Sequence, residues 1–182
     1  EHGWIGHNVH VYEPSVRVPL VIRFPGGAGP RGTRVSGLVD HVDLAPTVAD
    51  VLGARGAGGS DARFQGRSLL PVVLGAPGHE AVLSRTIWDR PRYALRDERF
   101  KLVLDTRTGE EALYDLERDP GETRSVASPQ PLRAAFLRET LREWILDLSR
   151  KAGAAEEKQA IPKDQCEYLK TLGYLAADAK CE

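Results

Sequence analysis

The 182-residue chain contains no methionine at all, not even at its first position, and it opens abruptly with "EHGWIGHNVHVYEPSVRVPLVIRFPG". We therefore expect a fragment or processed product of a longer protein, and the missing signal peptide carries no weight for compartment. No apolar run approaches the roughly 18 residues that a bilayer-spanning helix needs. Neither sign of charge dominates: 25 basic residues against 26 acidic leave a net charge of −1. Hence there is no electrostatic footprint for nucleic acid or an anionic membrane. Only two cysteines occur, Cys166 and Cys181, without the paired CxxC spacing of a zinc site. A disulfide between them or two free thiols both fit the sequence. An apolar share of 41% with 28% charged residues excludes a disordered chain and fits a soluble globular one.

What is present falls into two styles. Residues 1–17 mix His, Gly, Asn and Glu without periodicity and read as a loop. "RVPLVIRFPG" (17–26) is a continuous apolar run stopped by Pro-Gly, which predicts a buried strand. "VSGLVDHVDLAPTVADVLGA" (35–54) predicts a helix with Asp43 as N-cap, Pro46 in the first turn and Gly53 as its stop. Gly-rich loops flank it at 26–34 and 55–63, and "FQGRSLLPVVLGAPG" (64–78) predicts a helical turn ending at Gly75. From residue 80 the period switches towards two. Segments 81–88, 92–99, 100–109 and 111–122 predict three or four antiparallel strands, with "RDER" and "DTRTGEE" as the hairpin turns.

"PLRAAFLRETLREWILDLSRKAG" (131–153) then repeats apolar residues every three or four positions, at Leu132, Phe136, Leu137, Leu141, Trp144, Ile145 and Leu148. This predicts an amphipathic helix covering the small sheet, not a membrane or partner helix. A polar linker and a short last helix over "CEYLKTLGYLA" (166–176) follow. One strand–helix pair cannot cover both faces of a parallel sheet. Residues 1–78 therefore need partner strands that the chain itself does not offer, a second reason to expect a fragment.

The candidate chemistry gathers at the start. His2, His7 and His10 have no helical spacing; in a loop they could converge on a metal or an anion, or stand solvated. Asp40, His41 and Asp43 suggest a triad or metal set on paper, but a strand end and helix cap account for them more simply. His79, after Pro-Gly, reads as an exposed loop residue. The acids of "LERDPGE" suit a turn.

Several stretches together resemble the sulfatase family of the alkaline-phosphatase superfamily. They are Glu1-His2-Gly3, Gly6-His7 and Tyr12-Glu13-Pro14-Ser15-Val16-Arg17-Val18-Pro19-Leu20, then "LVDHVDLAPTVADVLG", "GRSLLPVVLG", "RYALRDERFKLVLD", "EEALYDLERDPGETRSVA" and "LKTLGYL". They run in order over nearly the whole chain. The resemblance implies an α/β fold: the last part of an alkaline-phosphatase-like α/β sandwich, plus a small C-terminal antiparallel sheet covered by a helix. The expected divisions are 1–78 for the incomplete core, 79–153 for the sheet and helix, and 154–182 for linker and terminal helix.

The resemblance also implies roles. His7 occupies the family position, five residues after the His of E-H-G, whose Lys or His contacts the sulfate where negative charge grows. Asn8 and His10 line the substrate pocket. His2 lies near the metal shell without ligating, and Glu13 and Arg17 form a supporting pair. Pro14 departs from the family's usual Glu. The family nucleophile, a formylglycine made from C/S-x-P-x-R, has no counterpart here. Nor have the aspartates that hold a divalent cation, usually calcium; both are expected upstream of Glu1, and no metal ligand is assigned within the chain. The expected substrate is a sulfate ester, and the chain alone is expected to be inactive and marginally stable without the N-terminal part of its fold. A phosphonate monoester or phosphodiester hydrolase of the same superfamily, or a non-catalytic binding module, are the alternatives. Extracellular, periplasmic or lysosomal placement is an expectation from the family alone.

Overall fold

In the computed structural model, residues 10–27, 29–54, 64–86, 91–153 and 162–171 are described. The chain forms two compact units, Glu1–Arg142 and Glu143–Glu182. The first is organised by a four-stranded antiparallel meander: β1 (Val82–Arg85), β2 (Arg92–Arg96), β3 (Phe100–Asp105) and β4 (Glu111–Asp115), in the spatial order β1-β2-β3-β4. Consecutive strands pair because short turns join them. Asp97 Oδ1 accepts the Arg99 and Phe100 amides at 2.8 and 2.6 Å, closing the β2–β3 turn. Asp105 Oδ1 does the same for Arg107 at 2.9 Å and Thr108 at 3.3 Å in the β3–β4 turn, where Gly109 supplies a φ of 75°. The strands and both turns lie within the segments expected from the sequence.

Register decides what each face does. Leu95 pairs with Leu102 and Leu102 with Leu113, and all three are fully buried. They share a face with Phe100 and Glu111, by the two-residue alternation of a strand. The first turns of α4 (Pro131–Gly153) cover that face: Arg138 forks onto the Glu111 carboxylate, and the Arg133 guanidinium lies 5.3 Å from the centre of the Phe100 ring. Arg133 also pairs with Asp97. The residues that α4 buries here are Ala134, Leu137 and Leu141, whereas Leu132 and Phe136 are exposed. The expected apolar stripe is therefore narrower and rotated. Phe136 keeps its ring under the Arg133 guanidinium, at 5.4 Å, instead of in the core.

The opposite face carries Ala94, Arg96, Lys101, Val103, Ala112 and Tyr114, as the pairings Arg96–Lys101, Ala94–Val103, Val103–Ala112 and Lys101–Tyr114 require. This face is also covered. Val11 packs with Ala94, Val103 and Tyr114, and Tyr12 and Val16 extend the cluster. The cover is the single helical turn α1 (Glu13–Val16), with Pro14 in its first turn.

Beyond α1 the structure departs from expectation. Residues 17–24 are not a strand: Val18, Leu20, Val21 and Ile22 are exposed, Val21 to 92%. An apolar strand is held by neighbouring strands on both edges, and among the described residues nothing pairs with this one. After a 3-10 turn at Pro25–Gly27 comes the helix α2 (Leu44–Val51), itself preceded by a second 3-10 turn (His41–Asp43). Asp43 stands at the N-cap position of α2 as expected, but its side chain makes no cap bond there; Asp40 caps the 3-10 turn in a reciprocal capping box with Asp43. A further turn, α3 (Leu70–Val73), buries Val72 and ends before Gly75 at φ 101°.

In the second unit, the end of α4 and α5 (Lys163–Thr171) are helical, and Cys166 on α5 is buried and disulfide-bonded. The expected last helix over 166–176 thus begins earlier, at Lys163. Its other cysteine, Cys181, lies outside the described residues.

Three carboxyls of the sheet are held below the usual carboxylate range, each chiefly by an arginine hydrogen bond: Asp105 by Arg92, Glu111 by Arg138 and Asp115 by Arg99. Because the folded values are depressed, their stabilisation is whole above about pH 5 and is lost as the pH falls through those values. The melting temperature, followed by circular dichroism, should be flat from about pH 7 to about pH 5 and fall below about pH 4. Arg138→Met should lower the plateau and make the acid limb shallower; an unchanged limb would exclude the Glu111 pair as a contributor.

Candidate active-site turn and its supports

Two polar constellations stand out, and only one belongs to the segment that carries the candidate site residues. The first centres on Asp43, which is fully buried. Its Oδ2 accepts the Asp40 amide at 2.9 Å and lies 2.7 Å from His79 Nε2, while Oδ1 accepts the Arg67 amide at 2.9 Å. Thr47 continues the knot: its hydroxyl donates to the Asp43 carbonyl at 2.6 Å and accepts the Leu69 amide at 2.9 Å. Close backbone approach makes this possible. A Cβ on Gly66 would fall on the Val42 carbonyl, and one on Gly78 would sit 2.5 Å from the Leu38 carbonyl oxygen. His79 is accordingly not the free loop residue expected. It is half-buried, bridges to Leu38 through its backbone and meets Asp43 through its ring. With both carboxylate oxygens on protein donors and no exposure to water, Asp43 ties three chain segments together.

The second constellation seats the 10–17 turn on the sheet. Glu13 Oε1 lies 3.1 Å from Lys101 Nζ and Oε2 lies 3.1 Å from Arg96 Nη1. Lys101 Nζ also sits 2.8 Å from Glu122 Oε1, as an ion pair off the hydrogen-bonding direction. Glu122 Oε2 in turn accepts the Glu13 backbone amide at 2.6 Å. Glu13, Lys101 and Glu122 thus close a ring, and Arg96, paired with Glu13 from outside it, balances the charge. Lys101 is 1% exposed and Glu122 and Glu13 are buried, so each charge depends on its partners. Glu122 is held at φ 53°, the one positive φ outside glycine among the described residues. Nearby, the Tyr12 and Tyr114 rings meet edge-on at 6.2 Å. Burial, with Tyr12 adding to it, pushes the Tyr114 hydroxyl well above its usual range.

The expected site residues fall as follows. His10 is 8% exposed, stacked at a tilt 5.5 Å from Tyr12, with Ser15 Oγ 3.3 Å from Nδ1. Among the described residues, Glu13 pairs with Lys101 and Arg96 and not with Arg17, which is exposed. Arg17 and Arg96 instead line a hollow of about 230 Å³ beside Glu13 and Leu116. His2, His7 and Asn8 lie outside the described residues. No group of three or more His, Cys, Asp or Glu among the described residues could hold a metal ion. The carboxylate nearest the candidate site, Glu13, is already neutralised by two cations, so the described residues do not fit a divalent cation.

Comparison with known proteins settles the family. Residues 1–151 match the family described as "N-sulphoglucosamine sulphohydrolase, C-terminal". The chain belongs to the sulfatases. It is 24% identical over 154 residues to a sulfatase of Formosa agariphila, covering 74% of this chain and 28% of that protein. It is 29% identical over 138 residues to an N-acetylglucosamine-6-O-sulfatase of Bacteroides thetaiotaomicron, covering 69% and 24%. The chain thus spans about a quarter of the length of the curated relatives it matches. Among solved structures, a 2-O GAG sulfatase is similar at a TM-score of 0.51 and 26% identity, over 63% of this chain and 26% of that one. The expected fold class, the C-terminal α/β portion of a sulfatase with its antiparallel sheet, is borne out.

Within this sulfatase portion, sequence reading missed Lys101, Arg96 and Glu122. Lys101 did leave a signal: it interrupts "FKLVL", where a lysine on a covered face needs an acid. Glu122 left none, because an acid in "DPGE" looks like any solvated turn residue. The Asp43 knot yields a graded expectation in urea unfolding. Asp43→Ala strands the part-buried Asp40 and Arg67 amides together with the His79 ring, and should cost about 3 kcal/mol. His79→Ala removes one half-exposed partner and should cost about 1 kcal/mol. Equal losses would mean that the histidine, not the backbone, is what Asp43 holds.

Proposed function

We propose that this chain is the C-terminal part of a hydrolase that cleaves sulfate esters, and that its N-terminal segment supplies one wall of the active site. The supporting observation is the seating of the family-matched turn, Tyr12–Arg17, on the C-terminal sheet through Glu13. In this reading the formylglycine nucleophile and the divalent cation, usually calcium in the family, are held by residues outside the chain, and the chain alone is inactive. His7 donates to a sulfate oxygen as negative charge develops on it, and Asn8 helps to orient the ester. His10, buried against Tyr12 and Ser15, orients the segment rather than touching substrate. Arg17, exposed beside the hollow, adds positive potential at the rim.

The exposed apolar segment 17–24 fits the same reading. It is a strand in sequence but unpaired among the described residues, so it pairs in the complete protein with strands from outside the chain.

The test uses the complete protein and a panel of aryl and sugar sulfate esters, with phosphonate monoesters and phosphodiesters as competitors. Sulfate release is expected, and His7→Ala should lower kcat/KM by about 100-fold, the scale of losing one donor to a developing oxyanion. Faster turnover of a phosphonate or phosphodiester would transfer the site to the alternative hydrolase reading. Unchanged turnover in His7→Ala would remove His7 from the mechanism.

A further inference from the structure

We propose that Lys101 and Glu122 are positioning residues for the 10–17 turn, and through it for the sulfate-ester site proposed above; the inference rests on that reading. They come from the sheet and from the loop after it, 88 and 109 residues away from Glu13. Both reach α1 through directed polar contacts rather than through apolar packing.

The physical argument concerns what a buried charge ring does that apolar packing does not. Val11, Ala94, Val103 and Tyr114 already supply an apolar cluster beneath the turn. Apolar contacts are non-directional, and a turn resting on them alone can slide or rotate at small cost. Replacing a buried ion pair by apolar groups of similar volume is often neutral or stabilising, so the ring is poorly explained as a source of stability. It is well explained as a geometric specification. Glu122 Oε2 takes the Glu13 amide at 2.6 Å, fixing the first turn of α1 at its backbone. Lys101 Nζ lies between the Glu122 and Glu13 carboxylates at 2.8 and 3.1 Å, fixing the side chain of that same residue. Backbone and side chain of Glu13 are therefore held at once, which defines both the place and the rotation of α1. Glu122 sits at φ 53° to do so, a conformation that persists in a non-glycine residue only where its surroundings hold it. His10 and Ser15, in contact with each other, ride on the turn so defined.

Lys101→Met with Glu122→Gln tests this in the complete protein. The pair removes one cation and one anion together, leaves the Glu13–Arg96 ion pair in place, and keeps an amide oxygen facing the Glu13 N–H. Two readouts are taken well below the melting transition: kcat and KM for a sulfate ester, and hydrogen exchange of the amides of residues 11–17. The melting temperature is expected to stay within a few degrees of wild type. Meanwhile kcat should fall at least about tenfold with little change in KM, as displacement of a site by about an ångström can cost more still. Protection of the 11–17 amides should be lost while that of the β2–β3 amides remains. Unchanged kcat and unchanged protection would overturn the proposal, as would equal loss of protection in turn and sheet, which would make the ring merely structural. If wild type hydrolyses no sulfate ester, the functional reading fails, and the exchange measurement still decides whether Lys101 and Glu122 hold the turn.

Discussion

A lysine ammonium shut away from water must be neutralised where it stands, and Lys101 is neutralised by two carboxylates from two distant parts of the chain. That requirement organises much of the first unit. It brings the loop after β4 inward at Glu122 and pulls the N-terminal turn onto the sheet at Glu13. It also gives the sheet a second covered face, where a meander with α4 on one side would otherwise show water a lysine, an arginine and a tyrosine. Arg96 completes the balance from the neighbouring strand, so no net charge is buried.

The two faces of the sheet are held by different physics. On the α4 side, fully buried leucines in register across three strands are framed by arginine–carboxylate pairs at the rim. On the α1 side, a small apolar cluster shares its space with ions. The first arrangement is tolerant, because leucine packing fixes burial without fixing one orientation. The second is exacting, because each hydrogen bond has a length and a direction. It is the exacting face that meets the turn matching the sulfatase signature. The Asp43 knot plays a comparable part between α2, the Gly66 turn and the strand bridge at His79, with backbone amides as its donors.

The hairpins were legible because their signals are local: Asp97 and Asp105 cap their own turns, and alternation marks the strands between them. The family was legible because its motifs keep their order along the chain. The burial of α4 was legible only in part. Periodicity named seven candidates, but which of them face the sheet depends on where the helix docks, and Phe136 found a guanidinium instead. The strand expected at 17–26 failed for a related reason: its composition was right, but pairing belongs to a neighbour and not to the segment itself.

The sequence by itself determined the meander, its turns, the helical segments after residue 40 and the sulfatase family, since all of these rest on spacing between near neighbours or on ordered motifs; the turn α1 was read as loop. Tertiary structure alone decided the partners of the buried charges: Glu13 with Lys101 and Arg96 rather than Arg17, Glu122 with the Glu13 amide, and His79 with Asp43. A charge chooses its partner by distance in space, which sequence separation does not encode, and burial makes that choice strong enough to shape the fold.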